Sequence, residues 1–103
     1  MLKEVKIPEF ENLYNEGVVL ADFFSATCAT CKMLAFVLKD VEKILGDQVT
    51  ILKVNFDENK ELTKKFDIGG YPTIIIFKDG IEEMRLTGLQ QKPAIIKALE
   101  ELI

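Results

Sequence analysis

Both cysteines of the chain lie in the stretch FFSATCATCK, as Cys28 and Cys31, and the sequence contains no histidine. A cysteine does chemistry as its thiolate, the form that attacks disulfides and binds metals. Two of them in C-x-x-C spacing can pass two electrons by closing an internal disulfide, or can supply two metal ligands. A structural staple is not expected in a cytosolic setting, where thiols are kept reduced. A closed zinc site takes four ligands and would have to borrow from a second subunit or from carboxylates. Hydrolytic nucleophilic catalysis has no imidazole base available. The blandest alternative is that both thiols are small buried hydrophobes, and a pair placed together at one junction argues against it.

Position favours the two-electron reading. Val18 to Phe24, VVLADFF, is an almost wholly apolar run, as in a strand buried on both faces. From Cys28 onward the apolar residues Cys31, Leu34, Val37, Leu38, Val41, Ile44 and Leu45 recur at three and four, the period of an amphipathic helix. Cys28 thus sits where strand gives way to helix, among unpaired N–H groups that favour negative charge and bring a thiol below its ordinary ~8.5. Cys28 is the expected nucleophile. Cys31, almost one turn further and deeper, is placed to attack a mixed disulfide at Cys28 and release the partner.

The elements that hold this junction follow from pattern. Val5 to Ile7 alternates as a short strand, and Pro8 opens a helix carrying Phe10, Leu13 and Tyr14. Gly46 closes the cysteine helix, Val49 to Phe56 is a second long strand, and Asn59 to Phe66 is a short charged helix. TIIIF at Thr73 to Phe77 reads as a central strand, Lys78-Asp79-Gly80 as a hairpin turn, and Ile81 to Leu86 as its alternating return. Pro93 marks the first turn of a last helix with Ile95, Ile96, Leu99 and Leu102 inward. The order β-α-β-α-β-α-β-β-α predicts one α/β domain over residues 1–103, with helices on both faces of a mixed sheet. Strands joined through helices are expected to be parallel.

A net charge of −4 with lysines scattered among acids speaks against a nucleic-acid partner. No apolar run approaches the roughly 20 residues that span a bilayer. The charged start MLKEVKIPEF lacks the apolar core of a secretory leader, so a cytoplasmic location is expected.

With the dithiol in this place the whole chain resembles thioredoxins, through VVLADFFSATCATCKML, ILKVNFDEN, FDIGGYPTIIIFKDG and TGLQQK. The resemblance implies the thioredoxin fold and a thiol–disulfide oxidoreductase that reduces protein disulfides. No cofactor beyond the Cys28–Cys31 disulfide is implied, and no flavin or nicotinamide motif is present. Electrons would come from a separate, thioredoxin-reductase-like donor, and a monomer is the family default. By the same resemblance Pro72, in Tyr71-Pro72-Thr73, is a cis proline against the sulfurs, and it presents the Tyr71 backbone to an extended substrate.

Asp22 is an acid inside an apolar strand, costly there unless paired or protonated. The family places an acid at this position beneath the second cysteine, where it takes that thiol's proton; desolvation should raise it toward the working range of a general base. Lys53 matches a lysine that approaches the acid and tunes its charge. Gly70 would let the chain turn into the proline step and Gly88 would let a substrate backbone approach. With Thr27, Ala29, Thr30 and Tyr71 they would make a shallow, mostly uncharged landing surface.

The chain departs from the usual W-C-G-P-C-K. Thr27 stands for the tryptophan, Ala29-Thr30 for Gly-Pro, and Phe36 for a helix-kinking proline, so a straighter helix is expected. The central dipeptide sets thiolate stability and hence redox direction. Three other readings stay open: a redox protein dedicated to one partner, a redox-silent binding scaffold on the same fold, and a dimeric metal or iron–sulfur carrier.

Overall fold

A computed structural model describes all of residues 1–103. The strands are β1 (Leu2–Glu4), β2 (Val18–Phe24), β3 (Thr50–Asn55), β4 (Thr73–Lys78) and β5 (Ile81–Thr87). The helices are α1 (Ile7–Leu13), α2 (Ala29–Leu45), α3 (Lys60–Lys65) and α4 (Lys92–Glu100), with a 3₁₀ turn at Gly46–Gln48. The strands form one sheet in the order β1-β3-β2-β4-β5. The expected element order is found, and β2, which leads into the cysteines, is central and buried along nearly its whole length.

Period-2 alternation assigns each face of the sheet to its own core. Val18, Leu20, Ile51, Ile74 and Ile76 pack against Leu34, Leu38, Val41 and Leu45 of α2 and Ile95 and Leu99 of α4. Val19, Ala21, Phe23, Leu52, Val54, Ile75 and Phe77 pack on the other face with Phe10 and Leu62. There Phe10 stacks on Tyr14 with ring centroids 5.0 Å apart, and Phe66 meets Phe77 edge-on at 5.5 Å. Asp22, two residues after Leu20, falls on the α2 face by the same alternation.

Four expectations are corrected. The first strand lies at Leu2–Glu4 rather than Val5–Ile7, because Leu2, Lys3 and Glu4 pair with Ile51, Leu52 and Lys53, while Ile7 already begins α1. β4 runs antiparallel to β2 although a helix connects it to β3. The reason is length: the 17 residues of α2 rise about 25 Å, enough to carry the chain back along the sheet, whereas the six of α3 rise about 9 Å. A six-residue strand spans about 20 Å, so β4 has to start at the end where β3 finished. Ile44 is not inward but 55% exposed. Ile81 to Leu86 buries none of its residues fully, being an edge strand whose register slips opposite Ile76/Phe77.

The hairpin itself turns on Asp79 and Gly80, with φ of 50° and 84°, the doubly positive pair that a tight two-residue β-turn demands. Asp79 accepts from the Gly17 N–H at 2.8 Å, tying this turn to the loop that enters β2. α2 runs as one helix past Phe36, whose ring is exposed.

Candidate active site

β2 ends at Phe24 and α2 begins at Ala29, so the sheet's central strand delivers Cys28 to the N-cap of the longest helix. Its backbone is extended, at φ −90° and ψ 116°, and its side chain takes the capping role usually filled by an oxygen. The Cys31 N–H donates to Cys28 Sγ at 3.1 Å, and the Thr30 hydroxyl lies 3.2 Å from the same sulfur. Hydrogen bonding from the Cys31 side chain, then from Thr30, brings the Cys28 thiol below its ordinary value, with the backbone N–H groups adding to them.

Cys31 has the opposite surroundings. It is buried at 3% exposure on the inner face of α2, and both cysteines are free thiols. Burial pushes the Cys31 thiol up to about 12, helped by its bond to Cys28 and by the charges of Cys28 and Asp22. The pair is therefore split: the outer sulfur is the better anion and the inner one keeps its proton.

Asp22 is fully buried on β2, and neither carboxylate oxygen has a hydrogen-bond partner. Desolvation raises it to about 7, with the charge of Lys53 pulling down. Lys53 stands directly opposite Asp22 in the β2–β3 register, half-buried, with its ammonium 4.8 Å from the centre of the Phe24 ring. A cavity of about 130 Å³ opens beside Lys53, lined also by Cys31, Phe24, Ser25 and Lys32, while Asp22 is not part of its lining. Such a space is large enough for water.

The remaining expected residues fall into two groups. Thr27, Ala29 and Thr30 are exposed around Cys28. Gly70, Tyr71, Pro72 and Gly88 line a separate groove of about 310 Å³, together with Asp67 and Arg85, and the lining does not reach the cysteines. The Tyr71–Pro72 bond is cis, Pro72 is buried, and the Tyr71 ring is exposed and edge-on to Phe56 at 5.3 Å. Gly88, at φ 78°, donates its N–H to the Pro72 carbonyl at 2.9 Å. Gly70 has no positive φ and accepts from the Thr73 hydroxyl at 2.8 Å, so the turn does not require glycine there.

Sequence reasoning missed the groups that hold the dithiol loop. Ser25 is buried and its carbonyl accepts from the Cys28 N–H at 3.2 Å. Its hydroxyl donates to Asp57 at 3.3 Å, and Asn55 receives the N–H groups of Asp57 and Glu58 at 2.9 and 3.1 Å. The Asn55-x-Asp57 run that ends β3 is a turn signal for the local bonds to Asn55, but nothing in it points to Ser25. No three or more His, Cys, Asp or Glu side chains gather as metal ligands, and no helix is long and apolar enough to cross a membrane.

Comparison with known proteins matches residues 2–101 to the thioredoxin family. The thioredoxin of Bacillus subtilis (strain 168) is 42% identical over 89 residues, covering 86% of this chain and 82% of that protein. The thioredoxin of Chlamydia caviae is 37% identical over 101 residues, 98% of each. A mutant thioredoxin from Halobacterium salinarum NRC-1 superposes with a TM-score of 0.86 at 27% identity, over 97% of this chain and 90% of that one. Chloroplastic thioredoxin z, 23% identical with a TM-score of 0.88 over 98% of this chain and 93% of its own, shares the fold. Carrying its C-x-x-C pair on that fold, the chain belongs to the thioredoxin family and is a thiol–disulfide oxidoreductase.

Proposed function

We propose that the protein reduces disulfides in other proteins through Cys28 and Cys31, with Asp22 and Lys53 managing the second proton. The observation that carries this reading is the split between the sulfurs: Cys28 is accessible and biased to thiolate, while Cys31 is buried, protonated and within the influence of the buried Asp22 charge. Cys28 thiolate attacks one sulfur of the substrate disulfide; that S–S bond breaks and its other sulfur leaves as a thiolate that takes up a proton. Cys31 then loses its proton to the Asp22 carboxylate and attacks Cys28 Sγ. The mixed disulfide breaks, the second substrate thiol departs, and the chain holds the Cys28–Cys31 disulfide, two electrons poorer.

A thiol at about 12 does not give its proton readily to an acid at about 7. Two of the influences that hold Cys31 up, its bond to Cys28 and the Cys28 charge, disappear once Cys28 is in a mixed disulfide. The transfer becomes easier at the moment it is needed. Lys53, opposite Asp22, favours the ionised carboxylate that accepts the proton.

Members of this family act on disulfide-bearing proteins and are recharged by a reductase. We place this chain in the cytoplasm as a monomer with no bound cofactor, recharged by a separate reductase. Thr27, Ala29 and Thr30 would receive the substrate beside Cys28. Tyr71, Pro72, Gly70 and Gly88 would hold its extended flank along the neighbouring groove. The test is Cys31→Ser, which leaves the first attack intact and removes the second. Reduced variant mixed with a disulfide-bonded protein should accumulate a covalent adduct on non-reducing gels, releasable by dithiothreitol. Absence of any adduct, with the wild type also failing to close its internal disulfide in a glutathione titration, would sink the reading.

A further inference from the structure

We propose that the Thr30 hydroxyl is a thiolate-stabilising donor to Cys28, and that it sets how oxidising the dithiol is. The inference rests on the assignment of Cys28 as nucleophile and goes beyond the landing-surface role given to Thr30 above. Thr30 Oγ1 lies 3.2 Å from Cys28 Sγ, on the second residue of α2, where its own N–H is still free of the helical ladder. A thiolate only accepts hydrogen bonds, so in the ionised state the hydroxyl must be the donor; in the thiol state the bond can reverse.

What singles Thr30 out is the lack of any charged helper. Cys28 is held down by groups of Cys31 and Thr30 alone. The ionisable groups of the surrounding elements are engaged elsewhere or exposed: Cys31 on α2 is protonated, Asp22 on β2 stands opposite Lys53 on β3, Asp57 takes the Ser25 hydroxyl, and Lys32, at the cavity lined by Cys31, is exposed and makes no bond to Cys28. With no imidazole in the chain, neutral donors are the means by which this thiolate is stabilised. Of the two side chains that contribute, Cys31 is consumed in the reaction, whereas Thr30 keeps its hydroxyl throughout.

Stabilising the thiolate stabilises the reduced form, which moves a dithiol toward the oxidising end of the scale. It also has a kinetic signature. A hydrogen bond to a charged group is strong enough to move the thiol by about one pH unit, roughly tenfold in thiolate at low pH. Intrinsic nucleophilicity falls with pKa at a Brønsted slope of about 0.4–0.5, offsetting about threefold of that gain. Loss of the hydroxyl should therefore slow attack about threefold at low pH and speed it about threefold at high pH. The two profiles must cross.

Thr30→Val is nearly isosteric and lacks only the donor; Thr30→Ser restores it. The experiment is single-turnover oxidation of each reduced full-length protein by excess 2-hydroxyethyl disulfide from pH 5 to 9.5, with equilibrium titration against glutathione. In that reaction Cys28 Sγ forms one S–S bond, the reagent's S–S bond breaks, and 2-hydroxyethanethiol leaves. The expected result is a titration midpoint about one pH unit higher in Thr30→Val, a crossing of the profiles, and a potential lower by up to about 30 mV, the equivalent of tenfold for two electrons. Thr30→Ser should follow the wild type. Superimposed profiles, a uniform slowing at all pH values, or a serine variant that behaves like valine would overturn the inference alone. A wild-type profile with no thiolate below the ordinary cysteine range would overturn it together with the role of Cys28.

Discussion

A carboxyl group with no hydrogen-bond partner in a closed core is the least comfortable residue in the chain, and its discomfort is measurable. Asp22 ionises near ~3.9 when unfolded but holds its proton to about 7 when folded, because burial penalises the charge more than Lys53 relieves it. Between those values the folded state binds the extra proton. The group's favourable contribution is complete below about pH 4 and is lost as pH rises through 7. A separation of about three pH units amounts to about 4 kcal/mol at most. Asp22→Ala should therefore gain on the wild type, by up to that amount, as guanidinium unfolding is moved from pH 4.5 to pH 8.5. Parallel stability profiles would show that Asp22 does not titrate in this window. The same variant should resolve mixed disulfides more slowly, since Cys31 would have lost its proton acceptor. These groups were legible in the sequence because each breaks a local rule: two thiols together, an acid in VVLADFF, a proline before TIIIF. The Ser25–Asp57 tie was not, because it joins residues 32 positions apart that are unexceptional in their own neighbourhoods.

Elements were legible where one periodicity ran long enough and illegible where tertiary geometry chose between equals. The apolar spacing of α2 marks Leu34, Leu38, Val41 and Leu45 as core, and they are. Ile44 shares the composition but adjoins Leu45, about 100° round the helix, and it faces water. The contrast is a stability experiment: Leu38→Ala should cost about 2–5 kcal/mol through lost burial and a residual cavity, while Ile44→Lys should stay within about 0.5 kcal/mol. Equal losses in denaturant midpoint would contradict this placement of the helix. The direction of β4 was hidden for a different reason. Six residues of α3 look like any crossover helix in sequence, and only their length against that of the strands decides that the chain turns back antiparallel. That reversal brings Thr73 beside Phe23 and so sets the Tyr71–Pro72 step at the same end of the sheet as the cysteines.

With helices covering both faces of the sheet, the molecule's exposed backbone is concentrated at its two edges. β1 is only three residues long, and short edges template poorly. β5 is seven residues long with Ile81 and Met84 exposed, and it needs other protection. The register shift opposite Ile76/Phe77 supplies it by turning Glu82 and Arg85 to the same face. Arg85 grips Glu82 with two hydrogen bonds, Nε to Oε2 at 2.9 Å and Nη2 to Oε1 at 2.8 Å, and reaches the Asp67 carbonyl at 3.2 Å. The fork holds Glu82 below the usual carboxylate range and keeps a charged clasp on a strand whose outer N–H and C=O groups are free beside apolar side chains. Wild-type protein should sediment as a single chain at micromolar concentration. Replacing both clasp residues, Glu82→Val with Arg85→Val, leaves a more apolar, β-branched edge next to Ile81 and Met84 and should shift the sedimentation profile to dimers and larger species. Arg85→Lys, which keeps the charge and loses the fork, should remain monomeric. If the double variant still sediments as one chain, the bulge alone protects the edge and the clasp serves only to fix the loop before β4.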